Sequence, residues 1–121
     1  MIGEYDPGRA IYLQLMDGVR ERVVSGVYAP GQRLPGVRDL AYEAKVNPNT
    51  MQRALSELED EGLLVTKSTA GRFVTGYVAV IEEARQKMLV ELTERYLAQL
   101  ERLNVGSGEA VGLIERSERK A

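Results

Sequence analysis

Four polar side chains share one face of the segment 48–61: Asn49, Gln52, Arg53 and Ser56. At 100° per residue they gather opposite Met51, Ala54, Leu55 and Leu58, which form the face to be buried. Amides, a guanidinium and a hydroxyl with no acid among them suit hydrogen bonding to base edges, arginine to guanine and asparagine or glutamine to adenine. A plain solvated helix face is the other reading of the same residues. Cations crowd the stretch between Arg33 and Ser56, where Arg33, Arg38, Lys45 and Arg53 stand against only Asp39 and Glu43. The acids Glu57, Glu59, Asp60 and Glu61 then follow together. Arg72, beside Gly71, reads as a contact to phosphate or a minor groove.

Those side chains need elements to hold them. Residues 10–25 carry Ile11, Leu15, Val19 and Val23 at helical spacing, with Gly26 as the terminator. Val27–Pro35 is a turn-rich connection in which Leu34 points inward. A short helix over Val37–Ala44 buries Val37, Leu40, Ala41 and Ala44. Asn47 is a good N-cap and Pro48 suits the first helical position, so a helix opens there and runs to Glu61, with Gly62 closing it. The N–H groups at its start are expected to face phosphates. Leu63–Lys67 and Arg72–Gly76 read as a hairpin with a small, flexible tip.

A long helix from Val78 to about Leu103 follows, with the stripe Ile81, Ala84, Met88, Leu92, Tyr96, Leu100 and Leu103. Asn104 and Gly106 end it. Ser107 is expected to cap a final short helix with Ala110, Val111 and Ile114 on one side, and 117–121 to fray. The fold class is therefore mainly α with a small β-hairpin: a winged helix-turn-helix over 1–76 and a two-helix region over 77–121. The stripe exceeds what so small a domain covers, so Ile81, Met88, Leu92, Tyr96 and Leu100 are expected to meet a second copy of the chain.

Composition removes other chemistries. The 121 residues include no histidine and no cysteine, which excludes zinc fingers, thiolate or histidine metal sites, cysteine nucleophiles and Ser-His-Asp catalysis. No metal and no cofactor is expected, nor any membrane span or signal peptide, and the reading is a soluble cytoplasmic protein. Net charge is −2, split evenly: residues 1–76 hold 9 Lys/Arg and 10 Asp/Glu, and residues 77–121 hold 7 and 8. Any basic footprint is thus a local patch.

The blocks Pro30–Ala41, Val46–Leu55, Leu58–Leu63 and Gly71–Val74, with Ile11–Leu15 before them, resemble in order the DNA-binding region of the GntR family of bacterial repressors. The tail is similar to the YtrA-type branch, whose short two-helix region pairs subunits. The resemblance implies a dimeric repressor on an operator with two-fold symmetry. By motif position it assigns Arg38 to phosphate or base contact, Asn47, Asn49, Thr50 and Arg53 to the recognition block, and Gly71 and Arg72 to the wing. Two positions depart from the family: Gly36 replaces the usual serine, removing a hydroxyl cap, and Thr69 replaces a wing glycine, working against close approach to a groove floor. Branches with ligand-binding domains need far more chain than follows Gly76.

The expected partners are double-stranded DNA and a second copy; a small-molecule effector is compatible with this reading and none is identified. The competing reading is a winged-helix module that binds protein only, which the acidic balance favours and the acid-free face opposes. An enzyme is not expected: pairs such as Glu82-Glu83 fit a helix N-terminal charge preference.

Overall fold

A computed structural model describes residues 4–120, so the outer limits expected at residues 1 and 121 lie outside the described residues. The elements run α1 (Ile11–Val24), α2 (Val37–Ala44), α3 (Pro48–Asp60), β1 (Leu64–Thr66), β2 (Arg72–Val74), α4 (Val78–Glu101) and α5 (Ser107–Lys120). The order is that of a winged helix-turn-helix followed by two helices, as the pattern of apolar residues predicts.

One core organises the first unit. Leu15, Met16, Val19 and Val23 of α1 meet Leu40, Ala41 and Ala44 of α2 and Met51, Ala54, Leu55 and Leu58 of α3. Leu63, Leu64 and Val74 bring the hairpin onto the same core, and Leu34 anchors the connection. Ile11, expected on the inward stripe, is exposed at the first turn of α1, and Val37 is only half-buried. Ion pairs brace the rim: Arg20 bridges Asp17 and Glu61, and Arg22 of α1 reaches Glu43 of α2.

The hairpin is antiparallel, with Leu64 opposite Val74, Val65 opposite Phe73 and Thr66 opposite Arg72. Its tip, expected to be small, is one turn of 3-10 helix over Ser68–Ala70. Residues 32–34 run along the other edge of β2, where the Leu34 N–H donates to the Arg72 carbonyl and the Val74 N–H to the Gln32 carbonyl. This third, unlabelled edge holds Arg33 against the wing.

The chain divides into two compact units between Ala84 and Arg85, eight residues beyond the boundary expected after Gly76. The reason is packing. Ile81, expected on a partner-facing stripe, is 8% exposed and belongs to the first core, with Val80 and Ala84 packed beside it. Buried Thr75 aids the entry to α4 by accepting the Tyr77 N–H on its hydroxyl oxygen.

In the second unit, Asn104 takes a left-handed φ of 62° and the Val105 N–H returns to the Leu100 carbonyl, a Schellman-type stop for α4. Two expectations for α5 change: Gly106 rather than Ser107 stands before its first turn, receiving the Ala110 N–H, and the helix continues through Lys120. Of Ala110, Val111 and Ile114, Ala110 is buried and the other two are exposed. Among the described residues no helix is long and apolar enough to cross a membrane.

Because Ile81 fills the first core, Ile81→Ala should lower the unfolding free energy by about 2–5 kcal/mol, the range for a buried isoleucine truncation. Urea denaturation measures it, and an unchanged midpoint would reduce the start of α4 to a linker.

Candidate nucleic-acid interface

The turn between α2 and α3 fixes the site. Lys45 sits in the left-handed region at φ 58°, and the Val46 N–H donates to the Ala41 carbonyl, so α2 stops abruptly. A residue with a Cβ is unfavourable there. Two residues later Asn47 caps α3: its side-chain oxygen accepts the Asn49 N–H at 2.8 Å, and Pro48 occupies the first turn. Part of Asn47 is thereby committed to structure. The Thr50 and Met51 N–H groups donate to the Asn47 carbonyl. The N–H groups expected to face phosphate from α3 are therefore already engaged.

The start of α2 supplies such groups instead. Gly36 offers no side-chain cap, and among the described residues the N–H groups of Val37, Arg38 and Asp39 have no acceptor. With no capping hydroxyl at Gly36 those N–H groups are open to an anion, although the Asp39 carboxylate sets a like charge in the same turn. Arg38 lies in the same turn.

On α3 the expected division of faces is realised. Met51, Ala54, Leu55 and Leu58 are buried, while Asn49, Gln52 and Arg53 are exposed and Thr50 and Ser56 half-buried. The Gln52 amide donates to the Ser56 hydroxyl at 3.2 Å. Arg53 does not project freely: its guanidinium carbon lies 3.7 Å from the centre of the Tyr12 ring on α1.

The wing differs from expectation at Arg72. Its guanidinium meets the Glu59 carboxylate at 2.5 Å and its side chain is only 16% exposed, so it ties the hairpin to α3 rather than standing at the tip. The Thr66 hydroxyl donates to the same carboxylate. Burial alone would push the Glu59 carboxyl up; the Thr66 and Arg72 hydrogen bonds, with the charge of Arg72, outweigh it and hold the group below the usual carboxylate range. Gly71 is required by its φ of 110°, and a Cβ there would also stand 3.0 Å from Arg33 Nε, so the Arg33 side chain would have to shift. Lys67 lies over the Phe73 ring at 4.7 Å.

Charge is sorted by these contacts. Among the described residues of the first unit, Arg9, Arg20, Arg22 and Arg72 each have a carboxylate partner. Arg33, Arg38, Lys45, Arg53 and Lys67 have none within 4.0 Å. Four of these five are the cations of the basic stretch between Arg33 and Ser56. On the tail, Met88 and Leu100 are half-buried, whereas Leu92 is 54% exposed and Tyr96 also faces outward. Sequence reasoning missed Tyr12 and Glu59, whose partners lie on other elements. The only hint of Tyr12 was its place in the Ile11–Leu15 block.

Residues 11–74 match the family of bacterial regulatory proteins, gntR family. The chain is 34% identical over 105 residues to the uncharacterised HTH-type transcriptional regulator YhcF of Bacillus subtilis, covering 87% of each chain. It is 31% identical over 90 residues to the HTH-type transcriptional repressor YtrA of the same organism, covering 67% of this chain and 69% of that one. The structure of a GntR family transcriptional regulator from Listeria monocytogenes superposes with a TM-score of 0.85 at 28% identity, over 93% of this chain and 98% of that one.

The Glu59 cluster gives a pH prediction. A carboxyl held below its unfolded value of about 4.3 stabilises the fold above that pH and loses its contribution as the pH falls through the folded value. Glu59→Gln should cost about 1–2 kcal/mol at neutral pH, a charged hydrogen bond discounted for partial exposure. Its stability should then fall less steeply than wild type below about pH 4. Urea midpoints from pH 7 to pH 3 test this, and parallel acid limbs would contradict it.

Proposed function

The chain belongs to the gntR family of bacterial regulatory proteins and is a DNA-binding transcriptional regulator, and we propose that it is a cytoplasmic repressor that binds a two-fold symmetric operator as a homodimer. The sorting of charge carries this reading. Carboxylates neutralise the arginines that brace the fold, and the cations along the helix-turn-helix stay available for phosphate. In this reading Asn49, Gln52 and Arg53 meet base edges. Arg33, Arg38 and Lys45 meet phosphates, joined by the open N–H groups of α2, and Gly71 keeps the wing close to Arg33. Asn47 and Thr50 shape the start of α3. Arg72 holds the wing in place through Glu59 and makes no phosphate contact. A protein-only module finds no support among the relatives, which are transcriptional regulators.

Dimerisation is supported by the second unit. Leu89, Leu92, Leu103, Val111 and Ile114 are all exposed on the single chain. Isolated apolar residues on a surface are ordinary, but four on two consecutive helices, with Leu103 in the connection between them, ask for a partner. A second copy covers them symmetrically, at about 25 cal/mol per Å² buried. Two recognition helices about 34 Å apart would then read two half-sites. Met88, Tyr96 and Leu100 fall on the same helix and are assigned to this interface; Ile81 is not.

Two experiments test the reading. A truncation after Ala84 keeps Val80, Ile81 and Ala84 and should be a folded monomer that binds a half-site as well as a whole operator. Sedimentation should show the full chain as a dimer at micromolar concentration; a monomeric full chain, or a dimeric truncation, sinks the assignment.

Lys45→Gly separates stability from function. Relief of the left-handed strain should raise stability by about 0.5–1 kcal/mol. Operator affinity should fall, and the slope of log K against log salt should drop by roughly 0.9 for each protomer. A stabilised variant with unchanged salt slope would make Lys45 a bystander.

A further inference from the structure

We propose that Tyr12 of α1 is a positioning residue for base discrimination, holding the Arg53 guanidinium in the orientation that reads the operator. The inference rests on the reading that Arg53 contacts bases. Tyr12 is half-buried against the core, so its ring has a fixed place, whereas Arg53 is exposed and has no carboxylate partner among the described residues. The 3.7 Å separation of guanidinium carbon and ring centre is that of direct contact with the ring face. Such stacking covers the face of the guanidinium and leaves its N–H groups, which lie in its plane, free to donate.

That is the presentation a bidentate contact needs. An arginine free to sample its rotamers would spend binding energy on ordering its long side chain, and would do so equally well over many bases. A guanidinium already fixed by the ring meets only acceptors that match its edge. Tyr12 therefore acts through Arg53 and touches no base itself. No carboxylate lies within 4.0 Å of Arg53 among the described residues: Glu57, one turn on along α3, forms no ion pair with it, and Glu59 is occupied by Arg72 and Thr66.

The test uses the full chain and an operator duplex selected by it from a random pool, with a scrambled duplex as reference. Tyr12→Leu should lower the operator-to-scrambled affinity ratio about three- to thirtyfold, the range for a cation–π contact from exposed to desolvated. Tyr12→Phe, which keeps the ring, should restore it. In an Arg53→Ala background Tyr12→Leu should cost nothing further. If Arg53→Ala loses discrimination while Tyr12→Leu does not, the positioning role is overturned and the base contact stands. If Arg53→Ala binds both duplexes as wild type does, the base contact itself fails and the proposal with it. Equal losses from Tyr12→Leu in both backgrounds would also overturn it. A variant too unstable to assay leaves a direct measurement: the Arg53 Nε–H resonance of the free wild-type protein should be shifted upfield by the ring current and remain so in Tyr12→Phe. An unshifted resonance overturns the proposal.

Discussion

Burial of Met51, Ala54, Leu55 and Leu58 sets the rotation of α3 about its own axis, and the polar face follows from that rotation. Turning the helix by one residue, about 100°, would drive Gln52 toward the core and Met51 into water. An amide buried without a partner costs about 1–3 kcal/mol, and an exposed methionine forfeits its burial as well. The alternatives are thus separated by several contacts acting together. The presentation of Asn49, Gln52 and Arg53 is enforced from the opposite side of the helix, by residues that never meet DNA. Ala54 contributes by being small, letting α3 lie close against its neighbours.

Electrostatics is arranged by the same packing. A net charge of −2 suggests a poor ligand for a polyanion. The total misleads because charges more than about 10 Å apart are screened at physiological salt, so a duplex senses the local patch. Glu43, Glu59 and Glu61 each take a guanidinium contact that braces one element against another. These three, and Asp17 with its Arg9 and Arg20 partners, thus spend their charge internally. Arg72 shows how sequence position alone fails here: it lies four residues from the wing tip residue Ser68 in the chain, yet its charge is turned back onto α3.

Much of this was legible from local rules. Asn47-Pro48 opens α3 where capping chemistry predicts, and Gly26, Gly62 and Asn104 take the left-handed conformations that stop or redirect helices. The faces of α2 and α3 follow from helical periodicity. What stayed hidden depended on contacts between elements. Tyr12 and Arg53 are 41 residues apart, and Glu59 meets Arg72 across a whole strand and turn. Ile81 looked like the first member of a long stripe because periodicity reports a face and not the surface that covers it. Val111 and Ile114 were paired with Ala110 by the same logic, although only the alanine is buried within the chain.

The position of Lys45 shows that fold and function make different demands on one residue. A helix-turn-helix needs an abrupt stop after α2, and the left-handed φ of 58° provides it. Glycine meets that backbone requirement at least steric cost. Lysine meets it under strain of about 1 kcal/mol, but places an ammonium group in the turn directly before the recognition helix. There it is tethered one residue from Val46 and two from the Asn47 cap, so the same reversal that orients α3 also aims the charge. Strain of this size is small beside the burial that holds α2 and α3 together, and the core can therefore carry it. The turn is tolerated because the packing on either side over-determines its geometry, and the buried face of α3 supplies one side of that packing.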